Sequence, residues 1–355
     1  YDENGNALTL TKYPLELDAV NDTYIAVGYT SWAQSTTPDE YYLCNKQTGK
    51  IWKLPDTSIS EQSGCFKNTS KFLSDGSNIY YMTYQNQGSS KVVNKVNTSD
   101  PSNLTSSVYT PTTDNANIFD TDNSGNVVYS GTLTSDYSSR ICRIKKTNGG
   151  LYNLPTDTDS FWIGLDGNIY YGGRQYVYAQ QPGDPAGYPV IKITIVNNVV
   201  TPETTGLVQN YDVTYAWGSY KINLDNKIYL ISDTKITEVY NETGVPQDIT
   251  ITGLTLTDVR AAQGNGTYYY IAGQNSSNQT ILVKINSTDN TFENMLTASD
   301  YDVYAFTVTT TGIITFNALR MSDGKKVIAR INTDKTVTIL DEQMDAEVLA
   351  LECIN

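Results

Sequence analysis

The chain has 355 residues, carries 24 Lys and Arg against 38 Asp and Glu for a formal net charge of -14, and contains no His. Imidazole is the usual proton shuttle near neutral pH and the commonest transition-metal ligand, so its absence excludes Ser-His-Asp and Cys-His nucleophile systems, His-based zinc sites and His-ligated haem. The acidic balance repels polyphosphate and argues against nucleic acid, and no apolar run reaches the roughly 18 residues of a membrane span.

A repeated pattern runs along the chain, and its first half is a polar turn followed by an aromatic strand. Its copies are NDTYIAVGY from Asn21, SDGSNIYYMTY from Ser74, DNSGNVVYSG from Asp122, LDGNIYYGG from Leu165, LDNKIYLIS from Leu224, GNGTYYYIAG from Gly264 and TTGIITFNA from Thr310. The Asp-Gly and Asn-Gly pairs supply the positive φ that tight hairpins need.

The second half of the repeat is a strand, a polar turn and a further strand. Its copies are YLCNKQTGKIWKLP from Tyr42, VVNKVNTSDPSNLTSSVY from Val92, ICRIKKTNGGLYNLP from Ile141, VIKITIVNNVVTPE from Val190, ITEVYNETGVPQDI from Ile236, ILVKINSTDNTFENML from Ile281 and VIARINTDKTVTIL from Val327. A strand before each turn brings the count to four strands per repeat.

From Tyr24 to Ile313 the repeats have a mean spacing of about 48 residues, which is a usual size for one blade of a β-propeller. We therefore predict an all-β fold, a seven-bladed β-propeller of four-stranded antiparallel blades, with six or eight blades as alternatives. The prediction is one domain, 1–355, with blades 13–55, 70–109, 116–155, 160–203, 213–250, 255–296 and 302–341 and a closing strand in 342–355. An open ring would leave two exposed edges, so either Glu347–Ile354 or Ala7–Leu10 is expected to close it.

The phrases DGNIYY, IYYMTY and IYLIS, each followed by VKIN, ARIN or CRIK and a polar hairpin, carry a family resemblance. They resemble bacterial extracellular propeller repeats of uncharacterised function, related to the YWTD and TolB-like propellers. The resemblance covers most of the chain and implies the fold. The Trp and invariant Asp of the YWTD pattern are missing, so the resemblance implies no ligand.

Composition and cysteines bear on the compartment. The chain is rich in Tyr, with 28, and begins at Tyr1 rather than Met, so we expect an extracellular or cell-surface protein with its leader removed. The candidate disulfide cysteines are Cys44, Cys65, Cys142 and Cys353. They show no CxxC spacing, and in an oxidising compartment Cys353 would pair with Cys44 or Cys65. The alternative is that some of the four are buried thiols.

The longest loop excursion, 172–189, and the connection 202–219 give the candidate ligand site. Exposed Tyr and Trp beside Arg and Asp suit a sugar or peptide, although the same rings would also pack a loop onto its blade. The candidate residues are Arg174, Tyr176, Tyr178, Tyr188, Tyr211, Asp212, Tyr215, Trp217 and Trp32. Loop carboxylates that would serve acid/base chemistry or a hard cation are Asp157, Asp159, Asp300 and Asp302.

The segment DTDNSGN is a candidate calcium site, with Asp120, Asp122 and Ser124 at alternate positions. It resembles the cation loops of integrin-type propellers but lacks their later acidic ligand, so an ordinary hairpin turn is the alternative. No other cofactor is expected. Candidate glycosylation sequons begin at Asn21, Asn68, Asn97, Asn103, Asn241, Asn265, Asn275, Asn278 and Asn286.

These observations favour a recognition or adhesion module that binds protein or glycan outside the cell through the loop-rich face of the propeller. The alternative is a structural subunit of an extracellular homo- or hetero-assembly, such as a surface layer or filament. A third hypothesis is a carbohydrate-active enzyme that works through carboxylates and Tyr without His. No catalytic residue is assigned, and the sequence favours a protein that is not an enzyme.

Overall fold

The protein is represented by a computed structural model. The structure describes residues 9–10, 13–19, 23–30, 38–45, 50–56, 58–60, 62, 66–67, 71–85, 90–100, 103–155, 160–164, 166–172, 188–209, 219–224, 227–232, 235–238, 240–241, 247–298, 300–309, 311–342 and 349–350. Within these ranges no residue lies in an α-helix, and so no helix there is long and apolar enough to cross a bilayer.

The strands form sheets, and the sheets are numbered in chain order. The short strand β1 (Thr9–Leu10) precedes sheet 1. Sheet 1 contains β2 (Tyr13–Ala19), β3 (Tyr24–Thr30), β4 (Glu40–Asn45) and β5 (Ile51–Lys53). Sheet 2 contains β6 (Ile59–Ser60), β8 (Phe72–Ser74), β9 (Asn78–Tyr84), β10 (Lys91–Asn97) and β11 (Ser106–Val108), while the intervening β7 (Phe66–Lys67) joins sheet 5. Sheet 3 contains β12 (Asp114–Thr121), β13 (Val127–Leu133), β14 (Asp136–Lys145) and β15 (Leu151–Asn153).

The second half of the chain continues this order. Sheet 4 contains β16 (Ser160–Ile163), β17 (Ile169–Gly172), β18 (Tyr188–Val196), β19 (Val199–Gln209) and the later β23 (Tyr240–Asn241). Sheet 5 contains β20 (Ser219–Leu224), β21 (Lys227–Ile231), β22 (Ile236–Glu238) and β24 (Gln247–Ile249). Sheet 6 contains β25 (Asp258–Asn265), β26 (Tyr268–Gln274), β27 (Thr280–Asn286) and β28 (Phe292–Ala298). Sheet 7 contains β29 (Tyr301–Val308), β30 (Ile314–Arg320), β31 (Lys325–Ile331) and β32 (Val337–Glu342), and β33 (Leu349–Ala350) follows.

The predicted all-β architecture of successive antiparallel sheets is confirmed. Sheet 2 begins at Ile59, before the predicted blade 70–109, and the β18–β19 hairpin extends to Gln209, past the predicted end at 203. The two segments offered as alternatives for closure pair with each other, with Thr9 opposite Ala350 in an antiparallel ladder. The number of blades stays a prediction.

The chain folds into two compact units. Unit 1 comprises Tyr1–Ser58, Val96–Ser106 and Thr252–Asn355, and unit 2 comprises Ile59–Lys95 and Ser107–Ile251. Sheets 1, 6 and 7 therefore belong to unit 1, and sheets 3, 4 and 5 belong to unit 2 with most of sheet 2. The single domain of the sequence analysis stays a prediction.

Apolar side chains of neighbouring sheets pack together within each unit. In unit 1, Ala272 and Leu282 of sheet 6 lie in one core with Phe306 and Phe316 of sheet 7. In unit 2, one core joins sheets 2 and 3, a second joins sheets 3 and 4, and a third joins sheets 4 and 5. Central strands such as β9 are buried on both faces, which explains their continuous aromatic and β-branched runs.

The cysteines divide between the two predicted states. Cys44 is disulfide-bonded, and its partner lies outside the described residues, as Cys65 and Cys353 both do. Cys142 is a buried thiol in the core between sheets 3 and 4, where it clusters with Ile118, Val128 and Ile144. This corrects Cys142 as a disulfide candidate: it is a thiol that fills apolar space between two sheets.

The first strands of sheets 1, 3, 6 and 7 share a β-bulge. In each, the ladder to the second strand skips one residue, and the skipped residues are Leu15, Asn117, Arg260 and Tyr304. In sheets 3, 6 and 7 the second strand places a small residue opposite the residue just before the bulge, namely Gly131, Gly273 and Ala318. In sheet 1 Tyr29 holds this position, and the small residue, Gly28, is one place along. A Cβ on Gly273 would lie 2.3 Å from the Asp258 carbonyl oxygen, so the bulged backbone requires glycine there. A β-bulge changes the direction in which nearby side chains point. The bulges of β25 and β29 have Arg260 and Tyr304 as their extra residues.

Candidate functional site

Most of the predicted ligand-binding residues lie outside the described residues, and their role stays a prediction. This holds for Arg174, Tyr176, Tyr178, Tyr211, Asp212, Tyr215, Trp217 and Trp32, and also for Asp157 and Asp159. Tyr188 is described through its backbone, which begins β18 opposite Gln209.

A polar cluster forms where the first strands of sheets 6 and 7 begin. Asp258 and Asp302 hold equivalent places, each two residues before the bulge residue of its strand. The bulge residues are Arg260 in β25 and Tyr304 in β29. Thr280, the first residue of β27, completes what we call the Arg260 cluster.

Arg260 joins the two strands by ionic hydrogen bonds. Its Nε donates to Asp258 Oδ2 at 2.9 Å, and its Nη1 donates to Asp302 Oδ1. The hydroxyl of Thr280 donates to the same Asp302 oxygen at 3.2 Å. Two carboxylates on separate strands thus hold one guanidinium, and charge-assisted bonds of this kind are stronger than neutral ones.

The electrostatics of the cluster favour its charged form. Burial opposes the charge on Arg260, but the hydrogen bonds to Asp258 and Asp302 outweigh burial and raise its pKa above the ordinary value. Burial also raises the pKa of Tyr304, and the negative charge of Asp302 raises it further against the opposing effect of Arg260. Tyr304 therefore stays a neutral hydrogen-bonding phenol near pH 7, and two carboxylates against one guanidinium give the cluster a formal charge of -1.

The cluster is open to solvent on one side. Tyr304 is 43% exposed and the Asp258 side chain 45%, whereas the Arg260 side chain between the carboxylates is 22% exposed. An exposed ring next to a carboxylate and a guanidinium offers apolar area together with donors and acceptors. This arrangement suits a polar ligand with hydroxyl, amide or cationic groups.

The sequence analysis predicted part of this cluster. It named Asp300 and Asp302 as loop carboxylates, but Asp302 lies within β29, where the strand places it beside Arg260. Asp258 and Tyr304 were missed. The signal that points to them is the pair of matching segments DVRA from Asp258 and DVYA from Asp302, each followed along the chain by a small residue opposite the residue just before the bulge.

The candidate calcium segment forms a hydrogen-bonded hairpin turn. Asp122 Oδ1 accepts the backbone N–H groups of Ser124 and Asn126 at 2.9 and 2.8 Å, and its Oδ2 accepts the Asn126 amide at 2.7 Å. Burial raises the pKa of Asp122, against the lowering effect of those hydrogen bonds. Asp120 accepts the N–H of Thr121 at 2.9 Å. Calcium binding by Asp120, Asp122 and Ser124 stays a prediction, and the turn accounts for Asp122 without it.

A second ionic group is buried in sheet 3. Asp114 is fully buried, and its carboxylate accepts two hydrogen bonds from Arg143 Nη1, at 2.8 and 2.7 Å, and one from the Tyr129 hydroxyl at 2.6 Å. Burial and the bond to Asp114 raise the pKa of Tyr129 above its ordinary value. With its carboxylate enclosed, this group serves the fold rather than a ligand.

No arrangement of three or more Cys, Asp and Glu side chains suited to a metal ion occurs within the described ranges. The glycosylation candidates separate by exposure. Asn97, Asn103 and Asn278 are exposed, whereas the side chains of Asn265, Asn275 and Asn286 are partly buried and hydrogen-bonded. Asn21 and Asn68 lie outside the described residues, and Asn241 is described only through its backbone.

Comparison with known proteins places the fold. No protein-family model matches the sequence, and no curated protein matches it. The chain is similar to the β-propeller domain of the Trilobed protease of Pyrococcus furiosus, with 9% identity over 92% of this chain and 95% of that one and a TM-score of 0.56. It is also similar to a puromycin-hydrolyzing peptidase of Mycobacterium tuberculosis, with 11% identity over 94% of this chain and a TM-score of 0.58.

The chain spans 53% of the length of that peptidase. A virginiamycin B lyase of Staphylococcus aureus matches with 12% identity over 92% of this chain and 98% of that one, at a TM-score of 0.47. At these identities the similarity to the propeller domain of the Trilobed protease and to the peptidase shows the fold alone, which is a β-propeller, as the repeat predicts. The proteins that share this fold include enzymes.

Proposed function

We propose that the chain is a recognition module that binds a polar macromolecular ligand, a protein or a glycan, where the first strands of sheets 6 and 7 begin. The observation that carries this proposal is the Arg260 cluster. It combines an exposed Tyr304 ring with a carboxylate and guanidinium that two strands hold in place.

The rigidity of the cluster supports binding. Arg260 and Tyr304 lie on bulges within paired strands, and Arg260 is held at both ends of its guanidinium. Groups that are ordered before a ligand arrives lose little conformational freedom on binding. A net negative cluster on an acidic chain favours ligands with cationic or hydroxyl groups over anionic ones.

The setting of this module is also part of the proposal. We place it outside the cell, among extracellular propeller repeats related to the YWTD and TolB-like families. The predicted ligand residues from Arg174 to Trp217 stay a separate candidate binding surface, in unit 2. A homo- or hetero-assembly of such modules is compatible with this role.

The test is a binding screen on a glycan array and on an immobilised library of extracellular peptides, followed by substitution of the cluster. Tyr304→Ala and Asp258→Asn each remove a ligand-facing group and should weaken binding of a hit by about tenfold or more, which is about 1.4 kcal/mol. Asp258→Asn keeps the side-chain shape and removes its charge.

Tyr268→Ala is the matched control. Tyr268 is also an exposed tyrosine of sheet 6, at 37%, but it lies at the hairpin end of β26, and Lys284 sits over its ring. Its removal should leave affinity unchanged. If Tyr304→Ala and Asp258→Asn bind every hit as the wild type does, the Arg260 cluster is not the recognition site.

A second candidate function is a His-independent hydrolase, and the pair Asp258 and Asp302 favours it. Two carboxylates can share acid and base roles when their separation suits the reaction. A screen with chromogenic glycosides and peptides tests this candidate. Asp258→Asn would then abolish turnover while thermal stability stays within a few degrees of the wild type, and retained turnover would exclude Asp258 as a catalytic residue.

A further inference from the structure

Two exposed tyrosines lie together on neighbouring sheets of unit 2. The tyrosines of the described ranges that have more than a third of their surface exposed are Tyr84, Tyr137, Tyr268 and Tyr304. Tyr84 ends β9 and Tyr137 is the second residue of β14, so both lie where the second strand of a sheet connects to the third. The hydroxyl of Ser90, just before β10, shares a hydrogen bond of 2.9 Å with the Tyr137 hydroxyl. We call Tyr84, Ser90 and Tyr137 the tyrosine platform.

An interruption of the β13–β14 ladder sets the position of Tyr137. The ladder passes from Thr132 opposite Arg140 directly to Leu133 opposite Asp136, so the three residues of β14 that follow Asp136 have no opposite residue in β13. A bulge of this kind changes the direction in which side chains point. The Tyr137 side chain, which lies in this bulge, is 55% exposed.

The carboxylate of Asp136 stabilises the bulge. Its Oδ1 accepts the backbone N–H of Ser138 at 3.0 Å and the Ser138 hydroxyl at 2.7 Å, and its Oδ2 accepts the hydroxyl of Ser139. These hydrogen bonds lower the pKa of Asp136 to about 2, so the carboxylate is charged at neutral pH. The residue before Tyr137 in the chain therefore carries a fixed negative charge.

The neighbourhood of Tyr84 is also ordered. The ammonium of Lys91 lies 5.4 Å from the centre of the Tyr84 ring. Lys91 is only 9% exposed whereas Tyr84 is 44% exposed, so Lys91 packs on the ring from the protein side and leaves the outer side to solvent. The Gln85 N–H donates to the Ser90 carbonyl at 2.9 Å, and the Lys91 N–H donates to Asn115 Oδ1 of β12 at 2.8 Å. Groups that are held in this way lose little conformational freedom on binding.

The chemistry of the platform matches that of a sugar. Exposed tyrosine rings offer apolar area on which the C–H face of a pyranose can stack, and their phenol groups form hydrogen bonds. The hydroxyls of Ser90 and Tyr137 can each donate or accept, which suits sugar hydroxyls that do the same. The charge on Asp136 and the acidic balance of the chain repel a sugar that carries a carboxylate.

We propose that the tyrosine platform is a second binding site, which takes an uncharged oligosaccharide that stacks on Tyr84 and Tyr137 and hydrogen-bonds to the hydroxyl of Ser90. The platform lies on sheets 2 and 3 in unit 2, whereas the Arg260 cluster lies on sheets 6 and 7 in unit 1. The two proposals rest on different residues, and either can fail without the other.

Isothermal titration calorimetry with the full chain tests this proposal. The probes are the uncharged hexasaccharides of β-1,4-linked glucose, β-1,3-linked glucose, xylose, mannose and N-acetylglucosamine, and hexagalacturonic acid is the charged counterpart. At least one uncharged hexasaccharide should bind, and hexagalacturonic acid should bind at least about tenfold more weakly.

Substitutions then assign the bound hexasaccharide to the platform. Tyr84→Ala and Tyr137→Ala should each weaken its binding by about tenfold or more, because each removes a stacking ring. Tyr137→Phe keeps the ring and removes the hydroxyl, so a smaller loss of about two- to tenfold is expected. Tyr268→Ala, which removes an exposed tyrosine of sheet 6, is the matched control and should bind as the wild type does. Thermal unfolding establishes that each variant is folded.

The proposal is overturned if none of the uncharged hexasaccharides binds, or if hexagalacturonic acid binds as tightly as they do. It is also overturned if Tyr84→Ala and Tyr137→Ala retain the affinity of the wild type. Binding that Asp258→Asn abolishes and both tyrosine variants retain would assign the hexasaccharide to the Arg260 cluster instead.

Discussion

At the residue scale, burial determines how much an ion pair contributes to the free energy of unfolding. Arg143 holds a carboxylate, that of Asp114, which is fully buried, whereas Arg320 pairs with Asp323 on the exposed turn that follows β30. Both arginines have 21% of their side chain exposed, so the difference lies in the acid. Loss of one partner of a buried pair leaves a desolvated charge, whereas an exposed acid simply regains water.

Arg143→Met should therefore lower the free energy of unfolding by about 3 kcal/mol, because Asp114 loses its counter-ion in a dry position. Arg320→Met, a change of the same chemistry, should lower it by less than about 1 kcal/mol. Urea denaturation of both variants at neutral pH measures the difference. Equal losses would mean that the Asp114 carboxylate finds solvent or another partner.

The turn carboxylate Asp166 gives a pH-dependent prediction. Although burial opposes the charge, hydrogen bonds from Lys192, Asn168 and Tyr170 lower the pKa of Asp166 to about 2. A carboxyl whose pKa is lower in the folded state adds stability above its unfolded pKa, near 3.8, and loses that stability as pH falls through about 2.

Asp166→Asn should lower the free energy of unfolding by about 1 kcal/mol at pH 7, a figure reduced from the full pKa shift because a third of the side chain is exposed. The difference between variant and wild type should narrow below about pH 4 and vanish only below about pH 2. Urea titrations across this range measure it. A difference that stays constant with pH would assign the loss to the turn geometry instead of the charge.

At the element scale, the first strand of a sheet pairs with the second strand through a ladder that one bulge interrupts, and the second strand accommodates this bulge. The accommodating residue is small because the bulged backbone approaches it closely: a Cβ added at Gly273 or Gly131 would meet a carbonyl oxygen at 2.3 or 1.9 Å. The bulge in turn presents Arg260 and Tyr304. The local packing of two adjacent strands thus determines which side chains reach the candidate site.

Gly273→Ala should lower the free energy of unfolding by about 1 to 3 kcal/mol, because the new methyl group overlaps the Asp258 carbonyl and forces the bulge to move. It should also weaken any ligand bound at the Arg260 cluster. Thermal unfolding and the binding assay measure the two effects.

Gly150→Ala is the control for this change. Its new methyl group would meet the flexible side chains of Lys146 and Asn148, which can move aside, so a change within about 0.5 kcal/mol is expected. Equal effects at Gly273 and Gly150 would contradict the close packing at the bulge.

At the scale of the whole molecule, the β-propeller is built from sheets whose apolar faces pack on their neighbours. Two cysteines have different roles in it. Cys44 is covalently bonded, whereas Cys142 fills space as a thiol of 2% exposure. A thiol in an apolar core reacts only when the protein opens.

The native protein and the Cys142→Ala variant should therefore show the same number of thiols that react with Ellman's reagent. In concentrated guanidinium chloride the wild type should show one thiol more than the variant, because unfolding exposes Cys142. Rapid reaction of Cys142 in the native protein would mean that the core between sheets 3 and 4 opens readily.

The sequence by itself determined the class of fold. Seven copies of a turn and an aromatic strand, each followed by a hairpin, specify strands of a given length and order, since hydrophobic periodicity and turn residues act over a few neighbouring residues. The absence of His and the acidic balance also follow from composition, and they limit the chemistry without any coordinates.

Only the tertiary structure decided which side chains meet. Asp258 and Asp302 are far apart in the chain and hold the same guanidinium because β25 and β29 lie side by side. Likewise β7, which lies between two strands of sheet 2 in the chain, pairs with β20 of sheet 5. The sequence also left Cys142 open between a thiol and a disulfide, and the structure shows a buried thiol there. Contacts between distant strands depend on packing and on strand edges, which no local pattern of residues encodes.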